Sequence, residues 1–154
     1  MERRLRIGVI SDTHGVLRPE ALEALAGVAH IIHAGDIGAP EVLEGLGKIA
    51  PVTAVRGNVD RGAWARPLPE TALVEVAGNC LYVLHDLSRL DVHPRAADLA
   101  AVIHGHSHVA GADKRDGVLY FNPGSAGPLR FNRSATLGIL EFGELGIRES
   151  FLSL

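Results

Sequence analysis

The chain carries a single cysteine, Cys80, among 154 residues, so no disulfide can form within it and a reducing compartment fits. Aromatic residues supply only 5% of the sequence, which leaves the core to small aliphatic side chains. Positive charge is scarce too: 15 Lys and Arg against 18 Asp and Glu leave a formal charge of −3. That balance argues against sequence-independent nucleic-acid binding, which needs a cationic surface, and leaves only a local basic patch open. No apolar run approaches the ~18 residues that would cross a membrane. The basic start, MERRLRIGVISD, loses its apolar character at Ser11-Asp12, too soon for the apolar region of a signal peptide. A cytoplasmic protein is expected, with a homo-oligomer left open. Repeats, low-complexity tracts and linkers are absent as well. Residues 1–154 are therefore expected to form one domain, whose 47% hydrophobic content suffices for a core without staples.

What the sequence does have is a series of short apolar runs, each ending at a polar or glycine-rich break. Leu5 to Ile10 runs into Ser11-Asp12-Thr13-His14, and His30 to Ala34 into Gly35-Asp36. Val52 to Val55 runs into Arg56-Gly57-Asn58, Asn79 to Leu84 into His85-Asp86, and Ala100 to Ile103 into His104-Gly105-His106. Their length and Val/Ile content predict buried strands of an α/β protein. Pro19 to Ala26 and Pro40 to Leu46 predict helices, each with Pro at the first position and Leu on one face, and Arg95 to Ala100 predicts a third, shorter one. Alternation over residues 5 to 56 reads as βαβαβ with parallel strands. The second half is more antiparallel. Leu73 to Val76 and Cys80 to Leu84 flank a hairpin turn at Ala77-Gly78-Asn79. Val118 to Phe121, Ser134 to Phe142 and Ile147 to Leu152 follow, the last two joined through Gly143–Gly146. The expected architecture is two sheets packed face to face with helices outside.

Each of the five strand ends carries a potential metal ligand: Asp12 with His14, Asp36, Asn58, His85, and His106 with His108. Loops at the carboxyl ends of strands converge in α/β sheets, so these distant residues would meet. Asp12-x-His14 and His106-x-His108 each place two donors on one side of an extended segment. Imidazole and carboxylate donors without thiolate suit Mn, Fe, Zn, Ni or Co rather than a structural zinc site. A bridging Asp36 would allow two ions about 3.5 Å apart, as in two-metal hydrolases. Singly, most of these residues have a plainer reading: Asp12 as a cap, Gly35-Asp36 and Gly57-Asn58 as turns, His85 as a hydrogen-bonded histidine. Their joint occurrence at strand ends favours the metal site.

The order D-x-H, G-D, G-N-x-D, H, G-H-x-H resembles the calcineurin-like metallophosphoesterase superfamily, and within it the small YfcE-type phosphodiesterases. The likeness runs from Ile7 to about Arg133, and Asn122-Pro123-Gly124-Ser125 adds to it. The resemblance implies a four-layer α/β/β/α sandwich of two mixed β-sheets, acting on a small phosphoester. It implies one divalent ion, Mn foremost, on Asp12, His14, Asp36 and His108, and a second on Asp36, Asn58, His85 and His106. It further implies a bridging hydroxide that attacks phosphorus, with Asp36, Asn58 and His106 as catalytic residues. Two positions depart from the pattern. Val59 stands where many members have His after Asn, which leaves no evident general acid. Asp86 follows His85 where Gly is usual, either partnering a ligand histidine or sitting in a loop. His104 and His33 are expected to be structural and Asp60 to orient the Asn58 loop. Arg56, Arg130 and Arg133 are candidates for a phosphate contact, a solvated surface role being the alternative. A non-catalytic interaction scaffold of the same fold, such as the retromer subunit, is the competing reading, but a scaffold with a degraded site should have lost ligands that this chain keeps.

Overall fold

The protein was analysed as a computed structural model that describes residues 4–129 and 134–154. The first half builds β1 (Leu5–Ile10), α1 (Pro19–Ala24), β2 (His30–His33), α2 (Pro40–Gly47) and β3 (Val52–Ala54). Both helices begin with Pro at the first turn, neither has a side-chain cap, and Glu20 and Glu41 complement the helix dipoles. Such short helices are held by packing rather than propensity. β1 lies parallel to β2, and β2 parallel to β3.

The second half supplies β4 (Thr71–Val76), β5 (Asn79–Leu84), β6 (Ala101–Ile103), β7 (Gly111–Arg115), β8 (Val118–Asn122), β9 (Thr136–Gly143) and β10 (Gly146–Ser153). One sheet runs β10-β9-β1-β2-β3 and the other β4-β5-β6-β8-β7, so β9 and β10 return to the first sheet, antiparallel to β1. The β4–β5 hairpin turns at Ala77 and Gly78, both with positive φ. A hairpin turn with positive φ at both residues matches the twist of the strands it joins.

Period-two patterning sorts the side chains. Ile7 and Val9 of β1 and Ile32 of β2 face the other sheet, where Val83, Ile103 and Phe121 complete the central core. Ile10 points the other way with Ile31, Leu137 and Ile139, under Ala21 and Leu25 from the α1 segment and Val42 and Leu46 of α2. The outer face of the second sheet, with Tyr82, Leu84, Val102 and Val118, is covered by Leu87, Leu90 and Val92. That outermost layer is a single 3₁₀ turn, Leu87–Arg89, followed by loop. The architecture is the expected α/β sandwich of two mixed sheets, with helices few and short.

Two expectations need correction. Arg95–Ala100 forms turns rather than a helix: Ala97 N–H donates to His93 O and Leu99 N–H to Pro94 O, and Asp98 then adopts a positive φ that ends any helical path. Arg95 to Asp98 are exposed, so the segment lacks the packing that holds the equally short α1. Conversely, the edge strand β7 was not anticipated, because its sequence GADKR is exposed throughout and has no alternating apolar face. The signal lay in Asp116-Gly117, both with positive φ, which form the turn to β8.

Candidate metal centre

The carboxyl ends of β1, β2 and β3 meet those of β5 and β6 at the junction of the two sheets. Backbone bonds tie the loops there. Asp12 N–H donates to Gly35 O, His14 N–H to Asp36 O, and Gly105 N–H to His85 O, all at 3.0 Å. Glycine makes two further close approaches possible. A Cβ on Gly57 would strike the Asp36 carboxylate, and one on Gly105 would meet the Ser11 hydroxyl. Five of the seven predicted ligand residues sit in left-handed backbone: Asp12 (φ +55°), His14 (+47°), Asp36 (+56°), His106 (+70°) and His108 (+64°). Each such non-glycine residue costs of order 1–3 kcal/mol and persists only where its surroundings over-determine it.

Two groups of donor atoms result. In one, Asp12, His14 and His108 converge; in the other, Asp12, Asp36 and His85. Asp12 Oδ1 lies 3.3 Å from His108 Nε2, 3.8 Å from His14 Nε2 and 3.9 Å from His85 Nε2. Asp36 Oδ2 lies 3.2 Å from His85 Nε2 and 3.7 Å from His14 Nε2. His14 Nε2 and His108 Nε2 face each other at 3.4 Å. The donors point at one another rather than at ordinary hydrogen-bond partners. Among the described residues, Asp12 Oδ1 and His85 Nε2 are buried polar atoms with no hydrogen-bond partner at all. Buried orphans are rare and usually mean an absent ion or water.

The opposite atoms of the same side chains are held firmly. His85 Nδ1–H donates to Ala34 O at 2.8 Å, which fixes the ring and leaves Nε2 to carry the lone pair of the neutral form. Asp12 Oδ2 accepts from the Ser11 hydroxyl and from His106 N–H, and Asp36 Oδ1 accepts from Val59 N–H. Each carboxylate therefore keeps one oxygen for the centre.

A further layer of buried polar groups joins the loops. Asp60, 3% exposed, accepts from the N–H groups of Ile37 (3.1 Å), Gly38 (2.9 Å) and Gly57 (2.8 Å), stapling the Asp36 loop to the Asn58 loop. His33 is fully buried, and its Nδ1 accepts from Gly35 N–H. Its Nε2–H therefore donates to Thr13 Oγ1, whose hydroxyl donates to Ile37 O. Asn122 donates to Gly105 O and Ser107 Oγ and accepts from Gly124 N–H, and Ser125 donates to Asp12 O. In the sequence reading Thr13 carried no role, and Asn122 and Ser125 entered only through the Asn122-Pro123-Gly124-Ser125 motif. The available signal was a small polar residue within or after each ligand motif, a pattern that surface loops share.

His106 and Asn58 stand apart from the two groups. The His106 side chain is 46% exposed, its ring edge-on to His85 with centroids 5.2 Å apart, and its Nε2 lies 3.9 Å from Asp86 Oδ2. Asp86 also accepts from Ser88 N–H and Oγ–H, so it both caps the 3₁₀ turn and flanks His106. Asn58 is exposed and shares the wall of a cavity of about 380 Å³ with His85. Arg56 lines the same cavity and pairs with Glu70 at 3.1 Å. Arg130 and Arg133 lie outside the described residues. His104 is half-buried, with its N–H on Phe121 O.

Burial raises the Asp12 carboxyl, whereas for Asp36 the His85 imidazole and Val59 N–H overcome burial and hold it at about 2. Burial likewise opposes protonation of His85, but Asp36 and Asp12 outweigh it and raise its pKa. Burial pushes His33 down to about 3, so that ring is neutral, as its hydrogen bonds require.

The chain resembles known proteins in sequence and in fold. The profile of the calcineurin-like phosphoesterase superfamily domain matches residues 5–144. A probable metallophosphoesterase of Methanothermobacter thermautotrophicus is 35% identical over 135 residues, which span 77% of this chain and 76% of the relative. The solved structure of an archaeal phosphodiesterase superposes with a TM-score of 0.80 at 26% identity, covering 96% of this chain and 100% of that one. Vacuolar protein sorting 29 of Cryptosporidium parvum superposes with a TM-score of 0.79 at 17% identity, covering 98% and 99%, a likeness of fold alone.

Proposed function

The chain belongs to the calcineurin-like phosphoesterase superfamily, and on that premise we propose that it hydrolyses phosphodiesters at a dinuclear metal centre, with Mn²⁺ as the preferred ion. The observation that carries the reading is the pair of buried orphans, Asp12 Oδ1 and His85 Nε2, 3.9 Å apart among further carboxylate and imidazole donors. Cations held among these donors would satisfy both the carboxylate oxygen and the imidazole lone pair. The donor set fits Mn, Fe, Zn, Ni or Co, all of which accept mixed nitrogen and oxygen ligands.

Asp12, His14, Asp36 and His108 would hold one ion, and Asp36, Asn58, His85 and His106 the other, Asp36 being shared. When bound, such ions lower the pKa of a water and offset charge on phosphoryl oxygens. The protein's own contribution is orientation. His85 is locked through Ala34 O, Asp36 through Val59 N–H and Asp12 through Ser11 and His106 N–H, so little reorganisation is needed when charge arrives. Val59, 48% exposed next to Asn58, offers no proton to a leaving oxygen. The reaction is therefore expected to favour good leaving groups. A cytoplasmic site of action fits the lone cysteine, and among the described residues no helix is long and apolar enough to cross a membrane.

The test is hydrolysis of bis(p-nitrophenyl) phosphate by Mn²⁺-loaded protein, with Asp36→Ala and His106→Ala as comparison. Mn²⁺-dependent turnover that both variants abolish supports the reading. Metal-loaded protein no more active than Asp36→Ala across a panel of phosphoesters would sink it in favour of an interaction scaffold.

A further inference from the structure

Next to the cavity that His85 lines, the loop that follows β3 borders an open cavity of about 410 Å³. That volume lies within the range of small-molecule sites, about 300–1,000 Å³, and exceeds what one phosphate needs. Its wall carries Arg56, Arg61 and Arg66 against one carboxylate, Asp60. The Asp60 oxygens already accept three backbone N–H groups, so little of their charge is free to neutralise the arginines. Arg56 has an exposed partner, Glu70, and such pairs are worth little. Among the described residues no carboxylate pairs with Arg61 or Arg66. The neighbouring cavity contrasts with it, because there Arg56, Arg61 and Arg89 are matched by Glu70, Asp86 and Asp91. In a chain of net charge −3, three guanidinium groups are thus gathered beside one proposed ligand, Arg56 paired only at the surface with Glu70 and Arg61 and Arg66 with no carboxylate partner among the described residues.

We propose that this cavity is a subsite for a second phosphate group, so that the substrates are phosphodiesters bearing a further phosphate. Guanidinium groups pair with phosphate oxygens through two parallel hydrogen bonds, and a phosphate monoester carries the double charge that three of them would hold. Asn58 lines both cavities, which places the subsite next to the proposed metal centre. The room left over accommodates the group that links the two phosphates. The proposal rests on the metallophosphoesterase reading, since it names the substrate class of that site.

Two measurements separate the two ideas. In the first, the p-nitrophenyl ester of thymidylate is compared with the same ester carrying a phosphate on its other hydroxyl, using Mn²⁺-loaded protein. The phosphorylated ester is expected to have the higher kcat/KM by roughly 5- to 30-fold, the size of one or two partly exposed charged contacts. The ratio should fall towards one in Arg61→Ala and in Arg61→Ala/Arg66→Ala. Both side chains are exposed, so these variants keep the fold. In the second, thymidine bisphosphate and thymidine monophosphate are titrated calorimetrically into the same proteins, which needs no turnover. A wild-type preference for the bisphosphate that the double variant loses supports the subsite even if hydrolysis fails and the catalytic reading falls. Equal binding of the two nucleotides, or a preference unchanged in the double variant, overturns the subsite whatever the activity.

Discussion

Replacing Asp60, which is no ligand in the proposed scheme, should disable the metal centre. Its carboxylate is 3% exposed and accepts three backbone N–H groups, two on Oδ2 (Ile37, Gly57) and one on Oδ1 (Gly38). Hydrogen bonds to a charged acceptor contribute about 1.5–3 kcal/mol each, and every buried N–H left bare costs about 1–3 kcal/mol. In Asp60→Ala all three donors lose their acceptor. Water entering the vacated space recovers part of the loss, which leaves about 3–6 kcal/mol of destabilisation. In Asp60→Asn the amide oxygen can take the place of Oδ2 and retain Ile37 and Gly57, while the NH₂ confronts Gly38 N–H. That loses one bond and adds a donor–donor clash, about 2–3 kcal/mol. The bonds link the Asp36 loop to the Asn58 loop, so metal affinity should also fall, by about 10- to 100-fold, as when outer partners of ligands are removed. Urea unfolding of the metal-free protein gives the first quantity and Mn²⁺ titration the second. Asp60→Ala within 1 kcal/mol of wild type, or with undiminished Mn²⁺ affinity, would refute the reasoning that this carboxylate positions both loops.

Three further outcomes are expected. His33 has a folded-state pKa lowered from 6.5 to about 3, so in acid the unfolded chain binds a proton that the folded chain refuses. Stability should then decline as pH falls from about 6.5 towards 3, by up to ~1.4 kcal/mol per pH unit. His33→Asn keeps an acceptor for Gly35 N–H, so it should show a shallower acid slope in urea titrations; an identical slope would argue against the assignment. Asn122→Ala removes both bonds to the 105–107 loop and the one from Gly124, and should cost about 2–4 kcal/mol in chemical unfolding; a loss below 1 kcal/mol would mean that the loop is held by other contacts. Val59→His places an imidazole in an exposed position beside Asn58. It should raise kcat on diesters with poor leaving groups by up to about 10²-fold and change the p-nitrophenyl diester little; equal or lower rates on the poor leaving groups would refute a missing proton donor.

How much of this was legible in the sequence differs from element to element. β1 and β5 could be read off because buried strands are continuous apolar runs ending abruptly in polar residues, and both ends fell at the expected residues. The exposed edge strand β7 could not, since GADKR has no apolar face and is defined by its pairing with β8. Arg95–Ala100 failed in the other direction, because helical spacing over six residues is weaker than the turn that Asp98 imposes. In the sequence His85 departs from the motif, with Asp86 in place of the usual Gly. In the structure its ring is 4% exposed, locked on Ala34 O and 3.2 Å from Asp36, whereas His106, within the more recognisable motif, is half-exposed at the rim.

The sequence by itself determined the kind of chemistry and the order of its parts: which residues end each strand, and that their side chains are carboxylates, imidazoles and an amide. Those properties are local, set by residue type and by the period of a strand. Only the tertiary structure decided the protonation and aim of the donors. That Asp12 keeps Oδ1 for the centre depends on Ser11 and on the backbone of His106, which comes from the other sheet. That His85 presents Nε2 depends on Ala34, fifty-one residues earlier. The cationic cavity beside Asn58 likewise depends on how the 57–66 loop folds back around Asp60. For Asp12 and His85 the deciding bonds reach across long stretches of chain, to His106 N–H and Ala34 O, and no spacing within a motif encodes them.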